Sequence, residues 1–252
     1  MKMLIAIPSY NRPYNIEKRT GHWIKKIKNA DVKVFVCPNQ YLYYSQVIPQ
    51  DMLIKGAVQG EKEGFINQLL FIKKYAEDHG YDVVFKCDDD MTFTKSKAKK
   101  DQHGELIDEA ILEFKFTLSS DPSINAISFS QPMEYLYSEK KGFKKRKKAF
   151  SGAYIIRTNK WILHKDLYCY DDIFSWIELK INDQANCWTY YGLMQDALCG
   201  TNEGGLQSID RNMLGKKTYK NCVKYYPNVV PKEDTKHKFF DIDYSYYKKN
   251  SK

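Results

Sequence analysis

Apolar positions along the chain alternate between two spacings. Met3–Pro8 is a short apolar run closed by a proline, and Lys33–Cys37 and Asp82–Cys87 are further runs rich in β-branched and aromatic residues. Short apolar runs without helical spacing predict buried strands. Between them, Asn15–Lys28 places Ile16, Trp23, Ile24 and Ile27 at near-helical intervals. Gly64–Asp78 does the same with Ile66, Leu69, Leu70 and Phe71 or Ile72, and Gly80 marks its end. Glu105–Ser119 predicts another amphipathic helix through Leu106, Ile107, Ile111, Phe114 and Leu118. Ala126–Ser130 and Ala153–Arg157 predict strands, and Ile173–Ile181 a helix. Met91–Gly104 and Tyr135–Phe150 read as polar or charged loops, and the tail after Pro227 shows no period. Alternating strand and helix signals predict an α/β fold, an open and mostly parallel sheet with helices on both faces.

Composition narrows the class. The chain has 252 residues, 43% apolar and 15% aromatic, which suits one domain with a sizeable core and excludes a disordered chain. No apolar run approaches the length of a membrane span. Leu4–Ile7 is too short for a signal peptide, so a cytoplasmic protein with reduced cysteines is the expectation. No Cys-x-x-Cys pair is present, which disfavours a zinc ribbon. The net charge is +9, and it is uneven: Lys140–Lys148 has seven basic residues in nine, and Lys95–Lys100 adds four. Such stretches suit phosphate backbones or anionic lipid, and equally a solvated lysine-rich loop.

The chemistry concentrates in two segments. Asp88-Asp89-Asp90 follows the third strand. Three successive acids repel one another unless solvent or a divalent cation offsets them. In an extended geometry Asp88 and Asp90 point the same way, and their oxygens suit Mg²⁺ or Mn²⁺. Ile7-Pro8-Ser9-Tyr10-Asn11-Arg12-Pro13 leaves the first strand. In a parallel sheet it lies near the acidic triplet, at the carboxyl edge where open α/β sheets bind ligands. There Tyr10 is suited to stacking on a base, Asn11 to its edge, and Arg12 to a phosphate.

Together, the Pro8–Pro13 segment, the Gly64–Leu69 helix start and the Asp triplet resemble the nucleotide-sugar half of GT-A glycosyltransferases. The resemblance implies a single domain over 1–252, with a donor half at 1–95, an acceptor half at 96–252 and a basic insertion near 138–150. It implies a nucleoside-diphosphate sugar donor touched by Pro8, Tyr10, Asn11, Arg12, Asn67 and Asp89. It also implies a Mn²⁺ or Mg²⁺ ion on Asp88 and Asp90, with His237 as a candidate third ligand. More weakly, Phe150–Arg157 is similar to the family's glycine-containing acceptor strand, and Tyr170–Trp176 to its acceptor-side acidic motif. That similarity makes Asp172 or Asp171 the general base, with Asp172 ahead. Val36–Gln40 and Tyr43-Tyr44 add a narrower resemblance to the bacteriophage and TET/JBP-associated glycosyltransferases. It implies a 5-hydroxymethylpyrimidine in DNA as acceptor, flipped out of the duplex. The basic stretches would then hold phosphates, with Tyr135, Tyr137, Phe143 and Phe150 stacking on bases. Two alternatives stay open: transfer to a surface polysaccharide or lipid-linked sugar, and a non-catalytic nucleic-acid-binding module.

Overall fold

The computed structural model describes residues 1–58, 65–95, 103–136, 142–182, 186–196, 211–234 and 239–249. In chain order the elements are β1 (Met3–Ser9), α1 (Pro13–Lys18), α2 (Gly21–Ile24), β2 (Asp31–Val36), α3 (Tyr41–Tyr44), β3 (Leu53–Lys55) and α4 (Ile66–Asp78). Next come β4 (Val83–Cys87), β5 (Thr92–Thr94), α5 (His103–Ser120), β6 (Ala126–Ser130), α6 (Pro132–Leu136), β7 (Phe143–Lys145) and β8 (Ala153–Arg157). The chain continues through α7 (Asp171–Ile181), β9 (Cys187–Asp196), α8 (Arg211–Cys222), β10 (Val230–Asp234), β11 (Phe239–Asp243) and α9 (Ser245–Lys249).

One open sheet runs β3-β2-β1-β4-β8-β6-β9-β5, with β7 also on β9. β3, β2, β1 and β4 run parallel to one another. β8 runs antiparallel between β4 and β6, and β6 is parallel to β9. Alternation within β1 explains why its run is apolar throughout. Leu4 and Ala6 face one layer, with Ile66, Leu69 and Ile72 of α4 and Trp176 and Ile177 of α7. Met3, Ile5 and Ile7 face the other, with Trp23, Ile24 and Ile107, Ile111 and Phe114 of α5. A strand covered on both faces has no polar side to show.

The expected strands Ala126–Ser130 and Ala153–Arg157 match residue for residue. Gly80 closes the turn after α4 at φ +66°, a conformation that favours glycine. Other expectations are corrected. Asn15–Lys28 is not one helix, because the chain breaks around Thr20, whose hydroxyl donates to the Asp89 carbonyl at 2.6 Å. The expected loop Met91–Gly104 contains β5, anchored by buried Phe93 packing edge-on against Trp23 at 5.4 Å. The expected loop Tyr135–Phe150 contains β7, and the tail after Pro227 forms the β10-β11 hairpin and α9. None of the five described cysteines forms a disulfide.

Candidate active site at the carboxyl edge of β1 and β4

β1 and β4 are adjacent and parallel, so the segments leaving them meet at one edge. β4 stops at Cys87, and the acidic triplet enters a turn in which Met91 N donates to Asp88 O at 3.3 Å. The two-residue period of a strand therefore does not govern the triplet. Asp89 turns inward: its carboxylate accepts from Arg12 Nη1 at 2.9 Å and from Ser9 Oγ at 2.5 Å. Tyr44 OH stands 2.6 Å from Ser9 Oγ and accepts from Arg12 N at 2.9 Å. Trp23 Nε1 donates to Met91 O at 3.1 Å, so α2 and its entry bind the acidic turn from beneath.

Asp88 is the most open of the three, and its Oδ1 accepts from Lys86 Nζ at 2.6 Å. Lys86 is almost fully buried and also pairs with Asp171 Oδ2 at 3.2 Å. Asp171 Oδ2 in turn accepts from Tyr154 OH at 3.1 Å. Burial works against the Lys86 charge, but Asp171 and Asp88 outweigh it and hold its pKa well above the usual lysine range. Burial, opposed by Lys86 and assisted by Asp171 and Asp90, pushes Asp88 up to about 6. Asp172 is pushed up to about 7, chiefly by burial and then by Asp171. Tyr170, at φ +65°, turns the chain into α7 and puts both acids in its first turn. A non-glycine residue there costs on the order of 1 kcal/mol, and such strain clusters at functional sites.

The expected donor residues fall out unevenly. Pro8 is buried within β1, Tyr10 is half-buried against the α4 layer, and Asn67 is half-buried on α4. Asn11 adopts φ +56° and exchanges hydrogen bonds with Gln40: its N–H donates to Gln40 Oε1 at 2.9 Å, and Gln40 Nε2 donates to Asn11 Oδ1. Arg12 and Asp89, both expected to reach the nucleotide, are buried and pair with each other, so they shape the turn instead. His237 lies outside the described residues. Sequence reasoning named the segments holding Gln40, Tyr44 and Tyr154 but gave those residues no site role, and it did not single out Lys86. Lys86 had a readable signal, a lone charge inside the apolar run Val83-Val84-Phe85.

The donor set fits a hard divalent cation. It is oxygen-only: the carboxylates of Asp88 and Asp90 come from one turn, with Lys86 beside the first. Among the described residues no three His, Cys, Asp or Glu side chains converge as a metal cage. An ion on Asp88 and Asp90 would complete its shell with water and phosphate oxygens.

Gly152 closes this floor. Its carbonyl accepts from Asp88 N at 3.1 Å, and an added Cβ would stand 2.9 Å from Asp88 Oδ2 and 3.0 Å from Met91 Sδ. Gly152→Ala is expected to displace the Asp88 carboxylate, lowering kcat/KM by on the order of tenfold to a hundredfold. The accompanying stability loss should be near 1 kcal/mol. Kinetics and thermal melts on one preparation check this, and unchanged kinetics would remove Gly152 from the site.

The basic stretch is more structural than its charge suggested. Arg146 is buried and donates to Ala149 O through Nε at 3.0 Å and to Thr189 Oγ1 through Nη1 at 3.0 Å. Phe150 is buried and stacked on Tyr154, and Phe143 packs on Tyr190 and Phe114. Tyr135 OH donates to Lys95 O at 2.9 Å. Packing therefore takes up Phe143 and Phe150, two of the four aromatics expected to stack on bases. Tyr137, Lys140 and Lys141 lie outside the described residues, as do positions 96–100 of the second basic stretch.

No family model matches the chain, and no curated protein matches it in sequence. Solved structures match it in fold. One is residues 1–349 of S. aureus TarS in complex with UDP-GlcNAc, at a TM-score of 0.56 and 12% identity, covering 89% of this chain and 66% of that one. Another is glucosyl-3-phosphoglycerate synthase from Mycobacterium tuberculosis with Mn²⁺, UDP and phosphoglyceric acid, at 0.54 and 8% identity, covering 96% and 86%. The chain spans 58% of TarS 1–349 in a further structure of that fragment. Identities this low show the fold alone, which is that of the GT-A glycosyltransferases.

Proposed function

We propose that the protein is a glycosyltransferase that moves a sugar from a nucleoside-diphosphate sugar to an acceptor hydroxyl. The observation that carries this reading is the meeting of two carboxylate pairs. Asp88 and Asp90 leave the carboxyl edge of β4, Asp171 and Asp172 open α7, and Lys86 joins one pair to the other at 2.6 and 3.2 Å. Two fold neighbours hold UDP-GlcNAc, or Mn²⁺ and UDP, which supports a nucleotide-sugar donor here.

In this reading Tyr10 and Asn67 flank the nucleoside, with Pro8 and the Asn11–Gln40 pair shaping the turn beside them. Asp88 and Asp90 hold Mg²⁺ or Mn²⁺, which when bound offsets the negative charge of the leaving diphosphate. Asp171 is occupied by Lys86 and Tyr154, and so orients the head of α7. Asp172, with a pKa near 7, is the base that takes the acceptor hydroxyl's proton as its oxygen attacks the anomeric carbon.

For the acceptor, the reading carried forward is a 5-hydroxymethylpyrimidine in DNA. Its support is the net charge of +9 and the exposed Lys145, Lys147 and Lys148 beside the acceptor strand. A second reading, a lipid-linked or surface-polymer acceptor, has its own observation. Residues 211–232 contain no acid, and exposed Lys216, Lys217 and Lys220 of α8 share that surface with Met213 and Tyr225. Anionic head groups suit such a surface.

The test is a transfer assay with Mn²⁺ or Mg²⁺ and a panel of nucleotide sugars, using DNA with and without hydroxymethylated bases. Digested nucleosides are then weighed by mass spectrometry. A sugar-sized gain on the hydroxymethyl base establishes the DNA acceptor. Metal-dependent nucleoside diphosphate release without that gain keeps the transferase and moves the acceptor to lipid or polymer. Absence of both ends the glycosyltransferase reading.

A further inference from the structure

Lys86 is an unusual residue for its place. It sits in β4 between Phe85 and Cys87, both fully buried, and its own side chain is 2% exposed. Its ammonium lies 5.4 Å from the ring centre of Phe65 and 5.7 Å from that of Tyr154, so aromatic faces line its approach. Burying an ammonium costs several kcal/mol unless carboxylates pair with it. Here the two carboxylates come from different halves of the chain: Asp88 Oδ1 at 2.6 Å from the end of β4, and Asp171 Oδ2 at 3.2 Å from the head of α7. Neither carboxylate can move without uncovering the buried charge. The ammonium also shares Asp88 with any divalent ion that would use it, and the two cations repel across that shared group.

We propose that Lys86 is a positioning residue that acts as the resident counter-ion of the site. It holds Asp88 and Asp171 in register before substrate arrives and neutralises charge that a divalent ion would otherwise take up. The carboxylates are therefore ordered without metal, and tight metal binding waits for the negative charge that a donor diphosphate brings. This rests on the metal assignment given under the proposed function.

The experiment measures free Mn²⁺ by electron paramagnetic resonance, with and without UDP, in the full chain and in Lys86→Met. The wild type is expected to bind Mn²⁺ weakly alone and at least tenfold more tightly with UDP. Lys86→Met is expected to bind Mn²⁺ at least tenfold more tightly than wild type in the absence of UDP, and its melting temperature should rise on adding Mn²⁺. Lys86→Arg, which keeps the charge, should stay within threefold of wild type. A merely structural role predicts the opposite sign, because a disordered site binds metal less well. Equal or weaker Mn²⁺ binding by Lys86→Met overturns the proposal. Should that variant prove insoluble, the pair Asp171→Asn and Asp171→Asn with Lys86→Met gives the same comparison with one fewer unpaired carboxylate. Nucleotide-sugar cleavage by the wild type is scored separately. Cleavage without the affinity gain sinks the Lys86 inference alone, and the gain without cleavage sinks the transferase reading alone.

Discussion

Asp90→Asn is expected to lower sugar transfer by about a thousandfold, equivalent to about 4 kcal/mol of barrier, while leaving the protein folded. The substitution keeps the size of the side chain and removes the charge that a divalent ion needs. Arg12 still has Asp89 at 2.9 Å, so the turn keeps its main anchor. Asp88→Asn should act in the same direction. It also takes one of its two carboxylate partners from the buried Lys86 ammonium, so the variant's melting temperature should fall while Asp171 keeps the protein folded. Steady-state transfer, Mn²⁺ titration and thermal melts on both variants check this together. Wild-type rates in both, or full activity in the presence of a chelator, would exclude the metal role of this turn.

Asp172→Asn is expected to cut kcat by about a thousandfold with little change in donor KM, because a general base acts on the acceptor and not on nucleotide binding. Wild-type kcat/KM should rise about tenfold per pH unit and level off near pH 7, where Asp172 becomes ionised. Its stability effect has the opposite sense. A carboxyl whose pKa is raised by folding favours the native state fully below the ordinary carboxylate range, near 4, and that contribution is lost as pH climbs through about 7. The wild type should therefore lose stability between those pH values on this residue's account, and Asp172→Asn should flatten that slope. A rise that levels off at a clearly different pH, or an unchanged kcat in the variant, would shift the base to Asp171.

The parts of this protein that can be read from sequence are those fixed by local burial. β1, β6 and β8 are buried almost throughout, so their runs stand out and their limits hold to within a residue. The acidic triplet was equally visible, because three carboxylates in a row have few structural uses. What the sequence hid was decided by distant partners. The break between α1 and α2 exists because Thr20 reaches the Asp89 carbonyl, 69 positions away. Arg12 reads as a phosphate ligand until Asp89, 77 positions on, is seen to take its guanidinium. β5 and β7 are short pieces of charged segments, and they are strands because β9 supplies an edge to each.

β9 also carries a consequence for how the chain reaches this state. It is the meeting place of β5, β6 and β7, and Thr92 in β5 finds Asp196, 104 positions further along. Such a long closure is entropically costly and slow, whereas β1 and β2 pair over a far shorter separation, Leu4 with Asp31. The kinetic order this imposes is a first half that assembles early, followed by a seam at β9 that locks late. Amide protons of β5 should thus be the last in the sheet to gain protection during refolding.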